Sequence, residues 1–271
     1  DRAFQCCTAD SLELSGKLIS IEKRGMNNLL PKHNVSVHVL TRLGDLITNP
    51  NWFDYYIEVA EDIFFIGKSF SSKRHSKIKY VGNPKYDALM TRESCISSLG
   101  LDSNERYITV FYPEHQFKPQ FKMVDLYKKI IDCGYKVLVK NRCITVPSLY
   151  EKSPEIEGVV LYDDEQMYPS KSLELMTVSD LSIMFNSAAV EESLYAETPF
   201  MNFSKGPPFM PYLYDKSYSE NLPSDFNLNL ISDHVDRLVS QRPKESIKKV
   251  KYSTFACVGN SSETILNYIF K

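Results

Sequence analysis

The sequence predicts an α/β fold: a parallel sheet with helices on both faces, preceded by part of a second α/β lobe. Three observations predict it. From about residue 56 onward, short β-branched or aromatic runs alternate with longer amphipathic segments, the pattern of strands separated by crossover helices. Gly134 stands between a helical stretch and the run Tyr135 to Lys140, where a residue free to adopt positive φ ends a helix and the next strand starts at once. With 271 residues, 43% apolar and 12% aromatic, the chain can bury one large core or two moderate ones, and nothing in it reads as disordered.

Taken in order, Val35 to Leu40 is the one clear strand in a less regular opening of 55 residues, which reads as the end of a preceding lobe; residues 1–60 are assigned to it and 61–271 to the main domain. Strands follow at Ile63 to Ile66 and Ile78 to Val81, a helix over Lys85 to Leu99, a strand at Tyr107 to Phe111 and a helix near Phe121 to Cys133. After the strand that Gly134 introduces come a strand at Val159 to Tyr162, a helix from Ser170 to Val178 behind Pro169, a strand at Leu181 to Phe185, a helix at Ala188 to Ala196 and a strand at Pro199 to Phe203. Ser204 to Asn227, with Gly206, four prolines and several tyrosines, reads as a long loop, and loops of that length inside a domain are usually functional. Helices near Asp233 to Ser240 and Ser261 to Phe270 close the chain. The last carries Ile265, Leu266 and Ile269 on one stripe. There is no internal repeat or low-complexity tract.

A net charge of -2 and a pI near 6.3 provide no global field to recruit nucleic acid, so a small-molecule partner is expected. The six cysteines include no pair at metal-knuckle or redox spacing and fit a reduced, cytoplasmic compartment; the adjacent Cys6 and Cys7, which could invite a metal or a palmitoyl group, are read as a buried thiol beside an exposed one and given no role. No apolar run reaches the roughly 20 residues of a membrane span. Asp1-Arg2-Ala3-Phe4 holds neither an initiator methionine nor a signal-peptide core, so the chain is expected to be a piece of a longer one. The sequons at Asn34, Asn202 and Asn260 are discounted as chance matches.

In an open parallel sheet, ligands bind beyond the carboxyl ends of the strands. Four strand ends stand out. At Phe185-Asn186-Ser187-Ala188-Ala189-Val190-Glu191-Glu192 small residues join a strand to a helix. A phosphate can approach the first-turn N–H groups there, Ser187 can donate its hydroxyl, and Glu191 or Glu192 can accept two vicinal ribose hydroxyls. An N-cap serine followed by acidic residues that merely complement the helix end fits the same spacing equally well. Lys140-Asn141-Arg142 offers two cations for a diphosphate, or a solvated basic turn. In Tyr112-Pro113-Glu114-His115-Gln116, His115 is a candidate acid or phosphate ligand, against the commoner role of a hydrogen-bonded loop histidine. Val81-Gly82-Asn83-Pro84-Lys85-Tyr86-Asp87 is a tight turn whose glycine and proline turn geometry alone explains. No Gly-x-Gly-x-x-Gly, Walker loop, Gly-x-Ser-x-Gly elbow or His-Glu-x-x-His occurs, which counts against dehydrogenase, P-loop kinase, serine hydrolase and zinc protease chemistry.

In this order the turns resemble the Rossmann-like C-terminal domain of the GT-B superfamily, in particular CDP-glycerol glycerophosphotransferases, UDP-N-acetylglucosamine 2-epimerases and related capsule-polymer transferases, over roughly residues 60 to 271. Gly82 to Asp87 is similar to the Gly-x-Pro-x-x-Asp turn that opens that domain. Asp180, Ser187, Glu192 and Thr198-Pro199 are similar to its strand-start aspartate, phosphate-binding serine, ribose-binding glutamate and following proline, and Gly259 to Ser262 to its terminal segment. The resemblance implies that Gly82, Asn186, Ser187 and the N–H of Ala188 lie at the nucleotide phosphates, Glu192 at the ribose, and Lys140 and Arg142 near further phosphate charge. Ala188-Ala189 replaces the glycines of the epimerases, and Asn141-Arg142 replaces their His-Pro, which counts against epimerase activity.

The resemblance further implies a transferase that moves a sugar or polyol phosphate from a nucleotide-sugar or CDP-polyol donor to a glycan or polymer acceptor. It would need no cofactor and no metal, and would act by electrostatic stabilisation of the departing nucleotide. Peripheral association with the inner face of the membrane is an added expectation. His38 and Asp45, with Arg42 between them, and His115 are the candidate catalytic residues. A non-catalytic nucleotide-sugar-binding module and a 2-epimerase are the alternatives.

Overall fold

The computed structural model describes residues 11–14, 17–22, 35–40, 60–65, 78–87, 91–141, 153–163, 171–208, 210–241 and 243–270. The chain forms two compact units, residues 1–89 with 252–271, and residues 90–251.

The first unit is built on a sheet of five strands, β1 (Ser11–Leu14), β2 (Lys17–Glu22), β3 (Val35–Leu40), β4 (Ala60–Phe65) and β5 (Ile78–Tyr80), lying side by side in chain order. β1 and β2 pair antiparallel and the remaining neighbours are parallel. β4 and β5, read from the sequence as the opening of the main domain, thus continue the sheet begun by the first residues.

The second unit alternates helix and strand: α1 (Arg92–Leu99), β6 (Tyr107–Phe111), α2 (Met123–Asp132), β7 (Lys136–Asn141), β8 (Val159–Asp163), α3 (Ser172–Val178), β9 (Leu181–Met184), α4 (Val190–Ala196), β10 (Phe200–Ser204), β11 (Ser219–Pro223) and α5 (Ile231–Ser240). α6 (Lys244–Thr254) leads out of this unit, and α7 (Ser261–Ile269) closes the chain in the first.

The six strands of the second unit are all parallel, in the order β11-β10-β9-β6-β7-β8. The chain winds outward in one direction from β6 and then in the other from β9. This is the doubly wound order, and its reversal between the neighbouring strands β6 and β9 opens a crevice beyond their carboxyl ends.

Local rules explain the elements. Thr91 caps α1 by accepting the Ser94 N–H at 3.2 Å, and Gly100 at φ 66° ends it. In α2, Met123, Leu126, Tyr127 and Ile130 recur at helical spacing and are all buried. Gly134 at φ 84° then turns the chain into β7, as the sequence predicts. α2 and α5 cover one face of the sheet, with Ile108, Val110, Val137, Val139 and Ile183 between them, while Cys95, Ile96, Leu138, Leu175 and Val178 form a second core beneath α1 and α3. Successive residues of β7 therefore serve opposite faces, as the pleat requires. Each buried Leu, Ile or Val stabilises the layers by about 1.5–3 kcal/mol.

Several elements differ from expectation: β1 and β2 lie in the opening read as irregular, and where a helix was expected from Lys85 a 3₁₀ turn spans Pro84–Tyr86 and α1 begins at Arg92. The stretch read as a long loop contains β11, which pairs parallel with β10 at the edge of the sheet; Ser-Glu-Asn-Leu-Pro has little β propensity, and Pro223 is tolerated because it lies on an edge. α6 was not expected at all.

Candidate functional site

The turn after β9 lies at the topological reversal. Phe185 is buried and stacks on Phe203 at 5.5 Å between centroids, which anchors the chain just before it leaves the sheet. Asn186 then takes φ 47°, a left-handed conformation that asparagine tolerates better than other residues with a Cβ. Its N–H donates to the Asn202 Oδ1 at 2.7 Å. The Ala189 N–H donates to the Ser187 hydroxyl at 3.3 Å, and the N–H groups of Val190 and Glu191 reach the Ser187 and Ala188 carbonyls. The N–H groups of Ser187 and Ala188 have no hydrogen-bond partner among the described residues.

α4 begins at Val190, two residues later than predicted, with Ala189 as an N-cap that makes no side-chain cap bond. Ser187 is therefore not the N-cap. Glu192, half-buried, is the third residue of α4, and Glu191 beside it is buried.

Beyond β6, the neighbouring strand, Tyr112 is buried and its N–H donates to the Lys140 carbonyl at 3.0 Å, extending the pairing of β6 with β7 by one residue. His115 opens a 3₁₀ turn, His115–Phe117, and is exposed. The Gln116 amide donates to the Glu114 carboxylate at 2.8 Å. The turns after β6 and β9 thus flank the crevice.

β7 runs through Asn141, so Lys140 is a strand residue, only 7% exposed. Its Nζ donates to the Asn141 carbonyl at 3.0 Å. The Asn141 Oδ1 accepts the Ser153 N–H at 3.1 Å, and the Ser153 hydroxyl meets the Tyr127 hydroxyl at 2.8 Å. Burial pushes the Tyr127 phenol up, so it stays protonated in this network. Arg142, Arg42 and Asp45 lie outside the described residues. His38 is the fourth residue of β3, in register with Ser20 and Ile63, so it belongs to the strand itself.

Two motif residues prove to have structural work. Gly82 has φ 80°, and a Cβ there would collide with the Ser261 Oγ and the Ala256 carbonyl oxygen, so the turn after β5 needs glycine in order to pack on the chain's last segment. Asp87, at the end of the same turn, accepts the N–H groups of Ser261 at 2.9 Å and Ser262 at 2.5 Å, the first residues of α7. Partial burial raises the Asp87 carboxyl, but the bonds from Ser262 and Ser261 outweigh it and hold the group below its usual range. Asp180 precedes β9, at the opposite end of the sheet from the crevice, and pairs with Arg106 at 3.0 Å.

Sequence reasoning missed Asn202, which it considered only as a sequon. Its side chain is fully buried, so the folded chain offers no access there for a glycan. An asparagine amid Phe200-Met201 and Phe203 was the available signal. Among the described residues no group of three or more His, Cys, Asp or Glu is placed to hold a metal ion, and no helix is long and apolar enough to cross a membrane.

The resemblance to the GT-B superfamily read from the turns is borne out at the level of fold. A structure of the wall teichoic acid polymerase TagF soaked with CDPG superposes with a TM-score of 0.62 at 16% identity, covering 93% of this chain and 72% of that one. Anabaena Alr3699/HepE, in complex with UDP-glucose, gives 0.47 at 11% identity over 87% of this chain and 72% of that one. E. coli ADP-heptose lps heptosyltransferase II gives 0.43 at 15% identity over 55% of this chain, which spans about half (51%) of that protein. No protein-family model matches the sequence, and no curated protein matches it.

Proposed function

We propose that the crevice beyond β6 and β9 binds a nucleotide-activated donor, and that the chain is the donor-binding part of a transferase moving a sugar or polyol phosphate to a glycan or polymer acceptor. The observation that carries this reading is the position of the Asn186–Ala189 turn. It sits at the reversal of strand order, with two adjacent N–H groups that have no partner among the described residues and a serine hydroxyl next to them. Such a group of donors suits phosphate oxygens. The GT-B fold, shared with a polymerase whose structure was obtained after soaking in CDPG, supports the same reading.

In this proposal Asn186, Ser187 and Ala188 hold the diphosphate, and Glu192 accepts the ribose hydroxyls. Lys140 adds a fixed positive charge from the end of β7, and Arg142 adds another. His115, exposed beside the crevice, protonates or hydrogen-bonds the departing phosphate. An acceptor hydroxyl attacks the transferred group, the bond from that group to the nucleotide phosphate oxygen breaks, and the hydroxyl proton passes to a general base, the role for which His38 and Asp45 are the candidates. Fixed donors and cations aimed at the leaving phosphate lower the barrier because they need no reorganisation as charge develops. The donor is a nucleotide-sugar or CDP-polyol, no cofactor or metal is invoked, and the work would be done in the cytoplasm, at the inner membrane face.

Calorimetric titration with CMP, CDP, UMP, UDP and GDP tests the site. Selective binding is expected, weakened about tenfold or more by Ser187→Ala and by Glu192→Ala, the size set by losing a hydrogen bond to a charged group. Absence of binding to all five nucleotides contradicts the proposal.

A further inference from the structure

The Asn186 turn is held by an amide ladder across three strands. Asn202 of β10 lies in register with Met184 of β9 on one side and Asn221 of β11 on the other. The Asn202 Oδ1 accepts the Asn186 N–H at 2.7 Å. A backbone N–H can only meet an oxygen, so the amide nitrogen of Asn202 must face β11, where the Asn221 Oδ1 stands 2.6 Å away. The Ser204 hydroxyl lies 3.0 Å from the same Asn221 oxygen and within reach of the Gly206 carbonyl. The ladder therefore runs from exposed Asn221, through fully buried Asn202, to the backbone of the turn.

A buried amide costs free energy unless its hydrogen bonds are made. An apolar residue between Met201 and Phe203 would fill the same place without that cost. What the amide adds is a bond to one backbone N–H, that of a residue held at φ 47°. Left-handed geometry costs a non-glycine residue roughly 1 kcal/mol, comparable with one net hydrogen bond. With the Asn186 N–H engaged by the sheet, the next two, of Ser187 and Ala188, are the ones without a partner among the described residues.

We infer that Asn202, backed by Asn221, is a positioning residue that holds the Asn186 turn in the shape that receives phosphate; this rests on the reading of that turn given above. Neither side chain touches the ligand. Their effect is on affinity, through the backbone of the turn.

The test measures thermal stability and calorimetric affinity for CDP and UDP on the whole chain for Asn202→Leu, Asn221→Ala and Glu220→Gln. Asn221→Ala alters an exposed edge position, so a folded protein is expected even if Asn202→Leu fails to fold. Glu220→Gln is the control: it weakens the contacts of the same strand with His234 and Arg237 on α5 without touching the ladder. Asn202→Leu is expected to weaken the better-bound nucleotide about tenfold or more and Asn221→Ala about three- to tenfold, while Glu220→Gln lowers Tm and leaves affinity within about twofold. Unchanged affinity in both ladder variants, with the wild type binding, overturns the inference and leaves the site standing. Equal weakening by Glu220→Gln also overturns it, since general loosening of β11 would then be the cause. A wild type that binds neither these two nor CMP, UMP or GDP overturns the site reading and the inference with it.

Discussion

Asp87 shows how one carboxylate can tie together residues 174 positions apart. It closes the turn after β5 and accepts the two leading N–H groups of α7, which otherwise have no acceptor within the helix. Because its folded pKa lies below the ordinary 3.8, it contributes stability that is present above the unfolded pKa and lost as pH falls through the folded one. Asp87→Asn is therefore expected to lower Tm at neutral pH, with the difference from wild type narrowing below about pH 4. A gap independent of pH, measured by thermal melts from pH 7 to pH 3, would contradict this account. Gly82 in the same turn meets two constraints, positive φ and close approach to Ser261 and Ala256. Gly82→Ala is expected to cost about 2–4 kcal/mol in urea unfolding, combining backbone strain with overpacking; a loss under about 0.5 kcal/mol would show that the neighbouring segment yields.

At the scale of elements, how legible each was depended on how far its signal is local. β6, β7 and β9 are runs of Ile, Val, Leu and Phe bounded by turn residues, and their predicted limits agree with the structure to within about one residue. The switch-point turns were legible for the same reason, since each follows directly on such a strand. β11 was not, because its place in the sheet comes from pairing with β10 and not from its own composition. The ladder from Asn186 to Asn221 could not be seen either, since it depends on the register of three strands that only the fold brings together. α6 was missed because only Ile247 and Lys251 of its residues are buried, too few to make an apolar stripe. Lys251 is nonetheless central to its docking: the Nζ donates to the Tyr195 carbonyl at 2.8 Å and the Glu197 carboxylate at 2.9 Å, at the end of α4. Lys251→Ala is expected to cost about 2–4 kcal/mol through a cavity and a carbonyl left unsatisfied. Glu197→Gly should stay within about 1 kcal/mol, because relief of its left-handed conformation at φ 57° offsets the lost ion pair. Chemical denaturation of the two variants separates these outcomes.

On the scale of the whole molecule, the near-neutral charge concentrates attention on a local site, and the doubly wound order says where that site belongs. The second unit has a depression elsewhere, lined by residues such as Lys216, Ser217, Gln241 and Pro243, which precede β11 or follow α5 and so lie away from the strands' carboxyl ends. Nucleotide is expected to bind at the reversal of strand order. The measurement that tests it most directly is a backbone amide NMR titration with CDP and UDP. The largest shifts are expected at Asn186 to Ala189 and in the Tyr112 to Gln116 turn. Shifts concentrated at the depression beside β11, or no saturable shifts with either nucleotide, would contradict the claim.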